Sequence, residues 1–76
     1  MAQIRFVGTV DSINASRALI AEPGIGGATC WRTVRSGRAS IADLRVGQTV
    51  FIRGTERQAP GGLTVSANHI SARSHA

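Results

Sequence analysis

The chain has 76 residues, enough for one domain but too few for a catalytic domain and a regulatory domain together. Hydrophobic residues make up 42% of it, a globular fraction that argues against a disordered chain. The net charge is +5, lysine is absent and the basic charge comes from arginine. This excess favours a polyanionic partner such as nucleic acid. A GC-rich genome, which favours arginine codons over lysine codons, together with a need for solubility would produce it as well.

The hydrophobic pattern predicts five short strands and no long helix. Alternating apolar and polar side chains, with many glycines and β-branched residues, favour strands joined by tight turns. The predicted strands cover residues 3–13, 17–21, 28–34, 49–53 and 63–70. Between the third and fourth strands, Ser40-Ile41-Ala42-Asp43 resembles a capping box and predicts one helical turn over 39–44.

The last two strands form the clearest predicted hairpin. Pro60-Gly61-Gly62 lies between two alternating runs, and a Pro-Gly pair is typical of a tight turn. The apolar residues change phase near Asp11-Ser12 and near Asn68, which predicts an irregularity at the first place and a bulge at the second. Gly8, in the middle of the first strand, predicts a bend or bulge that would help a small barrel to curl.

The order of the predicted elements is three strands, a short helical turn and two strands. This is the order of the OB fold, a five-stranded Greek-key barrel. Closure of the sheet would also remove edges that such short strands would expose. We therefore predict an all-β chain with one OB-like domain over residues 1–72 and a flexible tail over 73–76, with a small SH3-like barrel as the alternative.

Two stretches of the chain resemble the cold-shock domain family. Gly8-Thr9-Val10 followed by Ile13-Asn14 is similar to the family's opening G-x-V-x-x-F-N, and residues 44–50 are similar to its L-x-x-G-Q-x-V stretch. The resemblance covers most of residues 4–70. It implies an OB-type barrel that binds single-stranded nucleic acid.

The chain departs from that family at its two ribonucleoprotein motifs. Residues 16–20 contain no aromatic side chain, and residues 29–33 contain Trp31 alone. Asp11 and Ser12 stand where the family has a lysine and a tryptophan. The resemblance therefore implies the scaffold of the family with few of its stacking residues.

Binding of single strands without sequence preference needs rings for base stacking and basic side chains for phosphates. Phe6 is in phase with the core, whereas Phe51 is out of phase with its apolar neighbours and is predicted to be at least partly exposed. Trp31 fits either a core or a surface position. The predicted nucleic-acid-binding residues are Phe51, Trp31, Arg53, Arg32 and Arg17.

The titratable residues do not suggest catalysis. His69 and His75 lie at the end of the last strand and in the tail, and the acidic residues are scattered without a pairing pattern. No cysteine and histidine spacing fits a metal site, and we expect Cys30 to be a small buried side chain. We therefore expect no enzyme activity, no cofactor and no bound metal.

Three kinds of function are compatible with these observations. The first is weak, salt-sensitive binding of RNA or single-stranded DNA. The second is a protein-interaction or structural barrel that oligomerises, with Phe51 and Trp31 as interface anchors, and the third is a barrel for a small anion or oligosaccharide. The N-terminal residues lack an apolar leader and no run approaches the roughly 20 apolar residues of a membrane span. We therefore expect a cytoplasmic location and no membrane partner.

Overall fold

The computed structural model describes residues 2–72, which form a closed barrel of five strands. The strands are β1 (Ala2–Asn14), β2 (Arg17–Pro23), β3 (Thr29–Ser36), β4 (Thr49–Ala59) and β5 (Gly62–Ala72). They pair in the order β1-β2-β3-β5-β4, β4 closes onto β1, and β3 pairs with β5 in parallel. This order confirms the predicted all-β, OB-type barrel. The predicted tail over 73–76, which includes His75, lies outside the described residues.

The core fills the barrel because successive side chains of each strand point to opposite faces of the sheet. Ile41 and Leu44, from the segment between β3 and β4, are buried in this core. Phe6 is 6% exposed, which confirms that it belongs to the core. The buried hydrophobic residues of the strands are Phe6, Val10, Ala18, Ile20, Val34, Val50, Ile52, Val65 and Ala67.

Two strands carry the irregularities that the sequence predicted. In β1 the pairing with β2 skips Asp11, and in β5 the pairing with β4 skips Asn68. Pairing of β1 with β4 is continuous through Gly8, so this glycine is not at a bulge. A Cβ at Gly8 would lie 2.6 Å from Cγ2 of Ile20 and 2.7 Å from the carbonyl oxygen of Ala21. Gly8 therefore allows β2 to approach β1 closely.

The hairpin between β4 and β5 has the predicted turn. Ala59 pairs with Gly62, so Pro60 and Gly61 form a two-residue connection. Gly61 has a φ of +92°, a value that glycine adopts without steric penalty after a proline at the preceding turn position. The turn sets the register of the hairpin.

The segment between β3 and β4 differs from the predicted helical turn. It contains a turn in which the Leu44 amide donates to the carbonyl of Ile41 at 3.1 Å, but no helix. Ser36 Oγ accepts from the Ile41 amide at 2.9 Å, and the carbonyl of Ala67 accepts from the Ala39 amide at 3.1 Å. These bonds tie the segment to β3 and β5.

Helix is almost absent from the part of the chain that the structure describes. A three-residue 3-10 helix, Ile25–Gly27, lies in the loop between β2 and β3. Within residues 2–72, no helix has the length and hydropathy to span a membrane.

Candidate functional site

The five predicted binding residues do not form one cluster. Arg17 and Trp31 point outward from β2 and β3, and Phe51 and Arg53 lie in the outward phase of β4. Arg32 is in phase with the buried Val34 and points towards one end of the barrel interior. The closed sheet therefore divides the predicted site into three places.

One set of basic and aromatic side chains lies on the outside of β2, β3 and the end of β4. Arg17 is directly opposite Arg35 in the β2–β3 pairing, and Trp31 is opposite Ala21. Thr64 of β5 pairs with Thr33 of β3 on one side and with Arg57 of β4 on the other, which brings Arg57 to the same side of the barrel. We call this set the β2–β3 surface; it consists of Arg17, Trp31, Thr33, Arg35 and Arg57.

Two shallow grooves meet at the Arg17–Arg35 pair. One groove, of about 220 Å³, is lined by both of these arginines and by Arg57, together with residues 58–60 and Thr64. The other, of about 460 Å³, is lined by the same two arginines, by the turn between β1 and β2, and by the segment between β3 and β4. Three exposed guanidinium groups thus border one small groove.

The Arg17–Arg35 pair is electrostatically unfavourable in the isolated chain. Like charges directly opposite each other in an antiparallel pair destabilise a sheet. Both ion pairs formed within residues 2–72 involve Arg32, so neither Arg17 nor Arg35 has a carboxylate partner there. An anion in the groove would relieve this repulsion.

Arg32 has a different environment from the other predicted arginines. Its Nη1 donates to Oε2 of Glu56 at 3.2 Å, and its Nε lies 3.4 Å from Oε2 of Glu22. The contact with Glu22 is an ion pair without hydrogen-bond geometry, since the buried Nε has no hydrogen-bond partner within residues 2–72. The guanidinium also lies over the Phe6 ring, 5.0 Å from its centroid. Arg32 therefore closes one end of the barrel and holds two carboxylates.

Trp31 is a surface residue, which settles the ambiguity in its sequence position. Its side chain is 53% exposed, and Leu63 is 56% exposed beside the same small depression. Cys30 lines this depression as well and is exposed, so the prediction that it is buried is wrong. The reason is that β3 begins beyond the buried layer: its first fully buried residue is Val34.

Phe51 occupies a separate surface formed by β1, β4 and β5. It is half-buried, as predicted, and lies opposite Val7 of β1. His69 meets it edge to face, with ring centroids 6.3 Å apart and an interplanar angle of 64°. Arg53 is opposite Arg5 on one side and His69 on the other. This surface combines a ring with a second pair of facing arginines.

No described set of side chains forms a metal centre. Across residues 2–72, no group of three or more histidine, cysteine, aspartate or glutamate side chains is placed to hold an ion. Among the described residues, Glu22 and Glu56 share one partner, the guanidinium of Arg32.

Sequence reasoning did not select Arg35 and Arg57, two members of the β2–β3 surface, as site residues. Arg35 is two positions from Thr33 and four from Trp31, so strand alternation places all three on one face once Trp31 is known to point outward. Arg57 had no such local signal, because it reaches this side only through the pairing of β5 with both β3 and β4.

Comparison with solved structures identifies a similar barrel. The chain matches one chain of a replication protein A heterotrimer bound to single-stranded DNA, with a TM-score of 0.64 and 24% sequence identity. The match covers 99% of the present chain and 60% of the length of that chain. The chain has an OB-type fold. No protein-family model and no curated protein sequence matches it, and the resemblance to the cold-shock family stays a prediction.

Proposed function

We propose that this OB barrel binds single-stranded nucleic acid through the β2–β3 surface. The observation that carries the proposal is the Arg17–Arg35 pair, two facing guanidinium groups without a carboxylate partner in residues 2–72, beside a groove that Arg57 also lines. Arginine offers a planar fork that matches phosphate oxygens. A phosphate backbone would satisfy all three groups, and the fold is shared with a chain from a complex that contains single-stranded DNA.

Trp31 supplies a stacking platform at a different point along the same surface. It lies four residues from Arg35 on β3, which corresponds to about 13 Å at about 3.3 Å per residue. A base on the indole and phosphates on the arginines would therefore belong to different nucleotides of one strand. Every base has a face that can stack, so we expect little preference for sequence and binding of both RNA and single-stranded DNA.

The arrangement at Arg32 supports the same function indirectly. Two acidic residues lie close to Trp31: Glu22 pairs with the adjacent Cys30, and Glu56 lines the same depression as Trp31. Arg32 offsets one of the two negative charges and holds both carboxylates, so a polyanion next to Trp31 meets less repulsion than it would without this arginine. We assign Arg32 this supporting role and leave phosphate contact to Arg17, Arg35 and Arg57.

Trp31→Ala is expected to weaken binding of labelled oligo-dT and oligo-U by roughly tenfold, since a base stacked on a ring contributes about 1–3 kcal/mol. Trp31→Phe should keep most of the affinity because it keeps a ring. Fluorescence anisotropy at low salt measures the effect, and Val46→Ala, which shortens an exposed apolar side chain elsewhere, is the control. Equal affinities for wild type and Trp31→Ala would contradict a stacking role.

The salt dependence tests the arginines separately from the ring. Three phosphate contacts predict a slope of about −2 in log K against log salt, and therefore a loss of roughly 20-fold between about 50 and 200 mM. Arg17→Gln/Arg35→Gln should reduce the slope by about 1.4, because each single-strand phosphate contact contributes about 0.7. If wild type fails to bind either oligonucleotide at the lower salt, the proposed function is wrong.

A protein-interaction function is the second candidate, and a specific observation favours it. Trp31 and Leu63 are both more than half exposed beside one depression, and aromatic residues are common anchors of protein interfaces. In that case the mass of the chain in solution would rise with concentration, or a protein partner would compete with the oligonucleotide for Trp31. Sedimentation at several concentrations distinguishes self-association from a monomeric nucleic-acid binder.

A further inference from the structure

A row of outward side chains on β4 joins the β2–β3 surface to the Phe51 surface. Side chains of β4 alternate between the two faces of the sheet. Ile52 and Glu56 point inward, so the odd-numbered residues of the strand point outward. We call the outward row the β4 track; it consists of Phe51, Arg53, Thr55 and Arg57. At about 3.3 Å per residue, the six steps from Phe51 to Arg57 span about 20 Å.

The neighbours of the track on β1 and β5 are polar, basic or apolar, and none is acidic. Gln3 and Ser66 flank Thr55, whereas Arg5 and His69 flank Arg53. Glu56, which lies within β4, turns inward to Arg32 at 3.2 Å. A negatively charged chain that follows the track therefore passes no carboxylate among its direct strand neighbours.

Two contacts hold the middle and the end of the track in place. Asn68, the residue that the β4–β5 pairing skips, donates from Nδ2 to Oγ1 of Thr55 at 3.3 Å. His69 packs edge to face against Phe51 and leaves part of that ring exposed. The bulge in β5 thus places an amide and an imidazole beside the track.

The positive charge of the β4 track and its flanking residues favours an anionic partner. Arg5 and Arg53 face each other across the β1–β4 pairing, and no ion pair within residues 2–72 involves either of them. A second copy of the chain is disfavoured, because a two-fold interface would bring together two copies of the same basic surface. The track is also continuous with the arginine groove through Arg57, which lines that groove. A partner already bound in the groove would therefore meet the track next.

We infer that a single strand bound on the β2–β3 surface continues past Arg57 along the β4 track. Its phosphates contact Arg53 and Arg5, and one base stacks on Phe51. This inference rests on the proposed function and adds a second stacking point on another side of the barrel. It predicts that the length of the oligonucleotide determines which residues contribute to binding.

The test compares a short and a long oligo-dT, of about 5 and about 18 nucleotides, because sites on OB folds cover roughly 4–16 nucleotides. Wild type should bind the long strand more tightly at about 50 mM salt. Arg5→Gln/Arg53→Gln should weaken binding of the long strand by roughly tenfold and reduce its salt slope by about 1.4, with the short strand unchanged. Phe51→Ala should weaken the long strand by about five- to tenfold and leave the short strand unchanged.

The matched control is Arg38→Gln/Arg45→Gln, which removes the same charge from exposed arginines in the segment between β3 and β4. Equal effects of the two double variants on the long strand would overturn the inference, because net charge alone would then explain the loss. A loss for the short strand in Arg5→Gln/Arg53→Gln would also overturn it.

The two proposals fail in different ways. In one outcome, binding of the short strand depends on Trp31, but binding of the long strand does not change when Phe51 or Arg53 is replaced. This outcome is consistent with the proposed function and rejects the inference about the β4 track. The exposed arginines of the track would then be assigned to binding of an acidic protein partner. Failure of wild type to bind any strand rejects both proposals.

Discussion

Gly54→Ala is expected to destabilise the barrel by about 3 kcal/mol, near the upper end of what overpacking of a core costs. Gly54 is a buried residue of β4, and a Cβ there would collide with the carbonyl oxygen of Ser66 and lie 2.9 Å from Cγ1 of Val65. Both belong to β5, the strand paired with β4, so the two strands would have to move apart. The loss is large for a chain of this length, whose total stability is expected to be about 4–11 kcal/mol.

Urea denaturation followed by circular dichroism measures this effect, and the thermal midpoint should fall by about 12–24 °C. Gln3→Ala is the control, because Gln3 is exposed on β1 and a surface substitution should change stability by no more than about 0.5 kcal/mol. A denaturation midpoint of Gly54→Ala equal to that of wild type would show that β5 can shift at little cost.

Arg32→Met is expected to destabilise the chain by about 2 kcal/mol. It removes the partner of Glu22 and Glu56, whose side chains are 22% and 21% exposed, and leaves two carboxylates close together without a cation. It also removes the guanidinium from the Phe6 ring. Breaking a fully buried pair costs about 3–5 kcal/mol, and partial exposure of these side chains reduces that figure.

The same substitution should weaken oligonucleotide binding, because two uncompensated negative charges would then lie near Trp31. Arg32→Met/Glu22→Gln/Glu56→Gln is the matched variant, since it removes the cation and both carboxylate charges together. We expect it to recover most of the stability and of the affinity. A triple variant no more stable than Arg32→Met would show that packing over Phe6, and not the charge network, determines the role of Arg32.

Much of the fold could be predicted from local pattern. Strand alternation requires only neighbouring residues, and a change of phase predicts a skipped residue, as found near Asp11 and at Asn68. The Pro60-Gly61 turn is likewise a local signal. Residues 39–44, where a helical turn was predicted, take a conformation that depends instead on a distant partner. The Ala39 amide donates to the carbonyl of Ala67 in β5.

The candidate site was less accessible to sequence reasoning than the fold. The outward phase of Phe51 follows from its neighbours, and so does the inward phase of Arg32 once Trp31 is placed outside. The carboxylate partners of Arg32 do not follow, because Glu56 is 24 positions away along the chain and on a strand that is not paired with β3. An arginine that counts towards net charge in the sequence is therefore already neutralised in the fold.

Local pattern predicted the order of the five strands, the two irregularities, the β4–β5 turn and the excess of arginine over acid. It did not predict the length of β4, which continues to Ala59, six residues past the predicted range 49–53. Strand pairing in the folded barrel sets which arginines face each other, which acids contact Arg32 and which surface carries each exposed ring. Alternation depends on adjacent residues, whereas charge and stacking act between side chains that strand pairing brings together. The β2–β3 pairing places Arg17 opposite Arg35, and the pairing of β5 with both β3 and β4 brings Arg57 to the same groove. Phe51 lies on the separate surface formed by β1, β4 and β5.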